Sequence, residues 1–240
     1  MNAKDHYDHH LAAFYTWMIG DFQEGQMKAQ SFFTRHSIMP VAGKNAVDLG
    51  AGHGLQSVSL AKLGFHVTAV DFNQHLLNTL YINKGDLPVA IVNDDIIHYL
   101  ESMQQDAAVV VCMGDTLTHL EKIEHVELMF RLVYEKLENS GKLILSFRDL
   151  TRKVAGTQRF IPVKSDDTRI LTCFLEYFPS HVMVHDILYE KKDDGWEMKA
   201  SAYPKLRLDP TMAGDMLRKA NFSITLSEVY DGVVYVIAEK

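Results

Sequence analysis

From residue 46 onward, short β-branched runs alternate with longer segments whose apolar positions recur every three to four residues. This alternation predicts strand–helix units on a mostly parallel sheet. Strands are predicted at 46–49, 66–70, 89–92, 107–112 and 142–147. Helices are predicted at 56–63, from a cap at Asn73 to about 83, and at 121–137, where Ile123, Val126, Met129, Phe130, Val133 and Leu137 share one face. Gly141 is read as the stop of that last helix.

Two regions break the alternation. Residues 10–19 and 26–36 read as helices ahead of the first strand, so 1–40 is expected to be a helical cap. Residues 168–178, 181–191 and 196–208 read as extended, with turns at Pro179-Ser180 and Asp193-Asp194-Gly195, which makes 150–208 an expected inserted antiparallel sheet. The chain closes with a helix at 210–220, with Pro210 in its first turn, and a hairpin of 222–230 and 233–238 through Asp231-Gly232. The expectation is a single α/β domain whose core spans 41–149 and 209–240.

Composition narrows the class. The 240 residues are 47% hydrophobic, enough for one substantial core. Asp and Glu outnumber Lys and Arg by 31 to 24 with no long basic run, so nucleic acid is not expected as a partner. Cys112 and Cys173 lack metal-ligand spacing, so no metal site or disulfide framework is expected. No apolar run reaches membrane-spanning length and the first ten residues are polar, which together with the cysteines suggests a soluble, cytoplasmic protein. The oligomeric state is not readable.

The chemistry concentrates at strand ends. Val47-Asp48-Leu49-Gly50-Ala51-Gly52-His53-Gly54 joins the first strand to a helix, and its glycines let the backbone turn and a ligand approach. Asp71 ends the second strand, where a carboxylate accepts both hydroxyl hydrogens of a ribose. Asp94-Asp95 follows the third. A tight turn with two helix-capping aspartates is the structural alternative. A dinucleotide oxidoreductase is a second one, but its fingerprint is G-x-G-x-x-G and this loop reads G-x-G-x-G.

VDLGAGHG, VTAVDFN and VNDDI together resemble the first three motifs of class I S-adenosylmethionine-dependent methyltransferases, over about half of the chain. The resemblance implies a Rossmann-like sheet of seven strands, mostly parallel with an antiparallel last strand. It implies S-adenosylmethionine as cofactor, with Gly50, Ala51, Gly52 and Gly54 along its methionine part and Asp48 anchoring the ammonium through the loop or water. Asp71 would hold the ribose, Asp95 and the Ile96 N–H the adenine, and Asp94 competes with Asp95; Phe72 and Tyr15 complete the expected cofactor contacts.

The segment Cys112-Met113-Gly114-Asp115-Thr116-Leu117-Thr118-His119-Leu120 is similar to the C-x-G-N-S-x-x-H-L stretch of small-molecule methyltransferases of the glycine N-methyltransferase type. Met113 would flank the cofactor and His119 the acceptor, as a catalytic base or as a structural residue. Ile19-Gly20-Asp21 also resembles that group. The arginine that grips the cofactor carboxylate there has no counterpart, because Gln23, Glu24 and Gly25 fill the stretch; Lys28 and Arg35 are candidate substitutes.

Other residues carry weaker signals. His53 contacts either the cofactor or only solvent, and His6, His9 and His10 are expected in a solvated terminal segment rather than a metal site. Arg148 and Arg207 are candidate anchors for an acceptor carboxylate. Phe14, Tyr15 and Trp17 from the cap, with Phe174, Tyr177, Tyr189 and Tyr203 from the insert, are expected to wall a mostly enclosed pocket. The expected function is methyl transfer to a small-molecule acceptor. Protein or RNA methylation, and non-catalytic cofactor binding, are the alternatives.

Overall fold

The computed structural model describes residues 2–40 and 44–240. The start of the core expected at 41 lies outside the described residues. The chain opens with α1 (Ala3–His9), α2 (Tyr15–Ile19) and α3 (Phe22–Arg35), then alternates β1 (Asn45–Leu49), α4 (Leu55–Lys62), β2 (His66–Asp71), α5 (Gln74–Lys84), β3 (Val89–Asn93), α6 (Ile96–Ser102), β4 (Ala107–Cys112), α7 (Ile123–Lys136) and β5 (Leu137–Arg148). The insert follows as β6 (Phe160–Ser165), β7 (Arg169–Tyr177), β8 (His181–Lys192) and β9 (Gly195–Leu206), and the chain ends with α8 (Pro210–Lys219), β10 (Ser223–Tyr230) and β11 (Val233–Glu239).

Among the described residues the strands form a seven-stranded sheet, in the order β10-β11-β5-β4-β1-β2-β3, and a four-stranded sheet, β6-β7-β8-β9. The large sheet is parallel except for β11, which runs antiparallel to both β5 and β10. Its order reverses between β1 and β4, and that crevice at the strands' carboxyl ends is where such sheets take ligands.

Both faces of the large sheet are covered, which is why its strands read as near-continuous apolar runs. Val47, Val110 and Leu145 pack with Val126, Phe130 and Val133 of α7 and Leu217 of α8 on one face. On the other, Val67, Val109 and Ile144 meet Phe33 of α3, Leu60 of α4 and Leu80 of α5. Full burial of side chains of this size is worth about 1.5–3 kcal/mol each.

The fold corrects several sequence expectations. The N-terminal segment is a docked helix and not a free tail: α1 is capped by Asn2 and His6 is fully buried, while His9 stays exposed as expected. The helix expected at 10–19 is broken at Phe14, which separates a short 3-10 turn from α2. The next helix begins at Phe22 rather than 26, because Asp21 caps it by accepting from the Glu24 N–H. α7 ends at Lys136 and β5 starts at once, so Gly141 lies within a strand and stops no helix. The expected hairpin is present, with positive φ at both Asp231 and Gly232, as a tight two-residue turn requires.

Candidate active site

A cavity of about 220 Å3 lies at the carboxyl ends of β1, β2, β3 and β4. A larger hollow of about 800 Å3 opens at the opposite ends of β1, β2 and β3, near Asn45 and His66, away from every strand-end motif. Position at the switch point, not size, marks the smaller one as the site.

The floor is built locally. After β1 the Gly50 and Ala51 N–H groups donate to the Val70 carbonyl at 2.8 and 3.0 Å, tying the loop to β2. Gly50 has φ +75°, and a Cβ there would fall 2.3 Å from the Thr116 side chain, so the β1 and β4 loops touch only because this residue is glycine. Asp71 is buried and accepts from the Gly52 and Asn73 N–H groups, both at 2.8 Å. Burial pushes its pKa up, opposed by these backbone N–H groups. Asp95 caps α6 by accepting from the Ile97 and His98 N–H groups at 2.8 and 3.2 Å.

The structure brings most of the expected residues together. Gly50, Ala51, Gly52, Asp71, Phe72 and Tyr15 line the cavity, and so do Asp95, Ile96, Met113 and His119. Asp48 and Gly54 do not. Asp48 is buried beneath the loop, accepts from the Ser57 hydroxyl at 2.6 Å and is pushed up to about 7 by burial. Gly54 precedes α4 and faces Leu80. Asp94 pairs with His98 and lines an adjoining groove.

The roof is built from distant segments. His6 of α1 pairs with Asp186 of β8 at 3.0 Å and with the Ser201 hydroxyl of β9 at 2.8 Å, and stacks on Tyr203 with ring centroids 4.0 Å apart. The next residue, Tyr7, lines the cavity and sets its ring edge-on to both Phe72 and His119. Asn73 donates to Asp8 at 2.7 Å, fastening α1 to the loop after β2.

Asp115 joins floor to roof. It lines the cavity and meets Lys205 of β9 and Arg148 of β5, each at 2.6 Å. Burial alone would raise its carboxyl, but the two cations hold it well below the usual carboxylate range. His119 packs beside it with Nδ1 buried and unpartnered among the described residues. Burial, reinforced by Lys205, pushes the imidazole down to about 3, so it is neutral at physiological pH.

Both expected acceptor anchors are already engaged, and neither lines the cavity. Arg148 is held by Asp115, and Arg207 donates to the carbonyls of Leu150, Thr151, Phe178 and Pro179. The expected aromatic wall is thinner than its composition suggests. Tyr203 reaches His119, but Phe174 and Tyr189 project from the opposite face of the insert, where Tyr189 is 37% exposed. Trp17 turns away to donate to Asp166. Sequence reasoning missed Lys205 and the placement of His6.

A family model described as a methyltransferase domain matches residues 46–141. A ubiquinone biosynthesis O-methyltransferase from Xanthomonas euvesicatoria pv. vesicatoria (strain 85-10) is 32% identical over 111 residues, 45% of this chain and 44% of that protein. A glycine/sarcosine N-methyltransferase from Aphanothece halophytica is 29% identical over 135 residues, 55% of this chain and 49% of that protein. The chain spans about half the length of the curated relatives it matches. The solved CcbJ methyltransferase from Streptomyces caelestis superposes with a TM-score of 0.77 over 97% of this chain and 96% of that one, at 19% identity, and so shares the fold.

Proposed function

We propose that this chain, a member of the class I S-adenosylmethionine-dependent methyltransferases by its domain match and its fold, transfers a methyl group to a small-molecule acceptor by direct in-line displacement. The observation that carries this reading is the convergence of three successive strand ends on one cavity, with Asp71 buried and oriented by two backbone N–H groups. A carboxylate so fixed is prepared for the two hydroxyls of a ribose.

The remaining residues fit the rest of the cofactor. Asp95 and the Ile96 N–H suit the adenine edge, Phe72 and Met113 its faces, and the loop of Gly50, Ala51 and Gly52 the methionine chain. S-adenosylmethionine supplies a methyl group already activated on a sulfonium, so the protein's task is to hold the acceptor in line and keep water away. Tyr7 and His119 stand over the floor for that purpose. A neutral His119 orients the acceptor by hydrogen bonding and is a poor proton store, which narrows its role to positioning.

The enclosed roof supports a compact acceptor. We assign acceptor choice to the 1–40 cap and the 150–208 insert, because these supply the contacts above the strand ends. Among the described residues no helix is long and apolar enough to cross a membrane. Cys112 and Cys173 are both free thiols, which suits the reducing, cytoplasmic setting we assign. The test is incubation with methyl-labelled S-adenosylmethionine and a fractionated cell extract. Label is expected in small metabolites. Label entering only protein or RNA, or entering nothing while the cofactor binds, sinks the proposal.

A further inference from the structure

We infer that His53, through Nε2, holds the carboxylate of the cofactor's amino-acid end, in place of the arginine this chain lacks. The inference rests on the cofactor assignment above. Among the described residues lining the cavity none is Lys or Arg. The two substitutes suggested by sequence are elsewhere: Lys28 is spent on Glu24 at 2.6 Å, and Arg35 borders a separate surface hollow. On α3, Gly25 and Phe22 approach the wall: a Cβ on Gly25 would meet Leu55, a lining residue, at 3.0 Å, and Phe22 packs against His53. No basic side chain reaches in from that helix. An S-adenosylmethionine carboxylate would therefore enter a wall without a cation.

What the wall does offer is His53. It sits inside the glycine loop, lines the cavity and is 3% exposed, and its Nε2 is buried with no partner among the described residues. Tyr15 and Phe22 pack against the ring in T-shaped arrangements, with centroids 5.2 and 5.4 Å away. An orphaned buried ring nitrogen costs stability unless something fills it. Directly after it comes the start of α4, whose first residues Leu55 and Gln56 also line the cavity, so the positive end of the helix lies beside His53, with Ser57 already engaged by Asp48. A carboxylate there accepts from Nε2–H and fixes the imidazole in that tautomer. Burial pushes His53 down to about 4, so it serves as a neutral donor and not as a fixed charge.

The probes are S-adenosylmethionine and its decarboxylated form, which keeps the sulfonium and the amine and lacks only the carboxylate. By calorimetry the wild-type protein is expected to prefer S-adenosylmethionine, and His53→Ala to lose about tenfold in its affinity while its affinity for the decarboxylated form stays within twofold. His53→Gln, which places an amide donor near the Nε2 position, is expected to restore most of the difference. A second reading needs no variant: in wild-type protein labelled with 15N-histidine, the His53 Nε2–H resonance is expected to move downfield with S-adenosylmethionine and not with the decarboxylated form. Equal losses for both ligands in His53→Ala, failure of His53→Gln to restore the preference, or an imidazole signal blind to the carboxylate overturns the inference while leaving the cofactor site standing. Failure of S-adenosylmethionine to bind the wild-type protein overturns the cofactor reading itself.

Discussion

The floor and the roof of the cavity use the same residue type in opposite electrostatic settings. In the floor Asp48 and Asp71 are buried among backbone N–H groups and a serine hydroxyl, and burial raises both. In the roof and its seam Asp115 and Asp186 face Lys205, Arg148 and His6, and these partners lower both despite burial. The signs for stability follow. A raised carboxyl binds more protons folded than unfolded, so acidification from about pH 7 toward 4 strengthens the floor. A lowered carboxyl contributes stability that is complete above its unfolded pKa near ~3.9 and is lost as pH falls through the folded value. The floor is thus stabilised by protonation, whereas the roof is held down by charge.

The largest test of this contrast is Lys205→Met. It leaves buried Asp115 with Arg148 alone and is expected to cost about 2 kcal/mol, somewhat below the usual loss on breaking a buried pair because one cation remains. Urea unfolding at pH 7 measures it, and the acid-unfolding midpoint should move to higher pH. An unchanged midpoint would show that the seam carries no charge-dependent stability. Next in size is Asp71→Ala, expected to weaken S-adenosylhomocysteine binding at least tenfold, or about 1.4 kcal/mol, by calorimetry. Full affinity in a folded variant would remove the ribose assignment.

His119→Asn tests the roof's part in chemistry. Turnover is expected to fall about tenfold with cofactor affinity unchanged, as for an interaction used mainly in the transition state. The pH–rate profile should carry no step that disappears with the histidine near its ordinary value of ~6.5; such a step would restore it as a general base. At pH 7 itself the smallest effect belongs to Asp48→Asn, which keeps an acceptor for Ser57 and removes a proton-binding group. What it removes is pH dependence: the gain in stability between pH 7 and pH 4 should shrink by about 3 kcal/mol, the linkage of a carboxyl raised from ~3.9 to about 7, read from urea midpoints across that window. An unaltered slope would assign the floor's response to other groups.

The same contrast explains what the sequence made legible. Each floor residue sits within a strand–turn–helix unit, so Gly50, Gly52 and Asp71 stood out by spacing and turn chemistry, while the choice of Asp95, with Asp94 competing, came from the resemblance. Roof contacts join residues far apart: Lys205 meets Asp115 across 90 positions, and no local pattern announces it. The arginines show the converse. Arg148 and Arg207 were reasonable anchors by position, yet a guanidinium with five donors is readily consumed by nearby carbonyls or a carboxylate, which sequence spacing does not reveal. Short elements also escaped. α6 has only seven residues, too few for a helical period, and β6 contains Pro162, which weakens a strand signal.

His6 and Asp186 are 180 residues apart, and their pairing has a consequence for synthesis. A nascent chain has its whole floor available once β4 emerges, but the first helix has no seat until β8 and β9 have been made. During that interval Tyr7, Phe14 and the underside of the insert are uncovered apolar surface, the condition that invites aggregation in slow, non-local folding. Loop-closure entropy delays the step further. A ligand that binds the floor early would therefore act on folding yield as well as on the finished protein, by giving the first helix a surface to settle on before its permanent partner arrives.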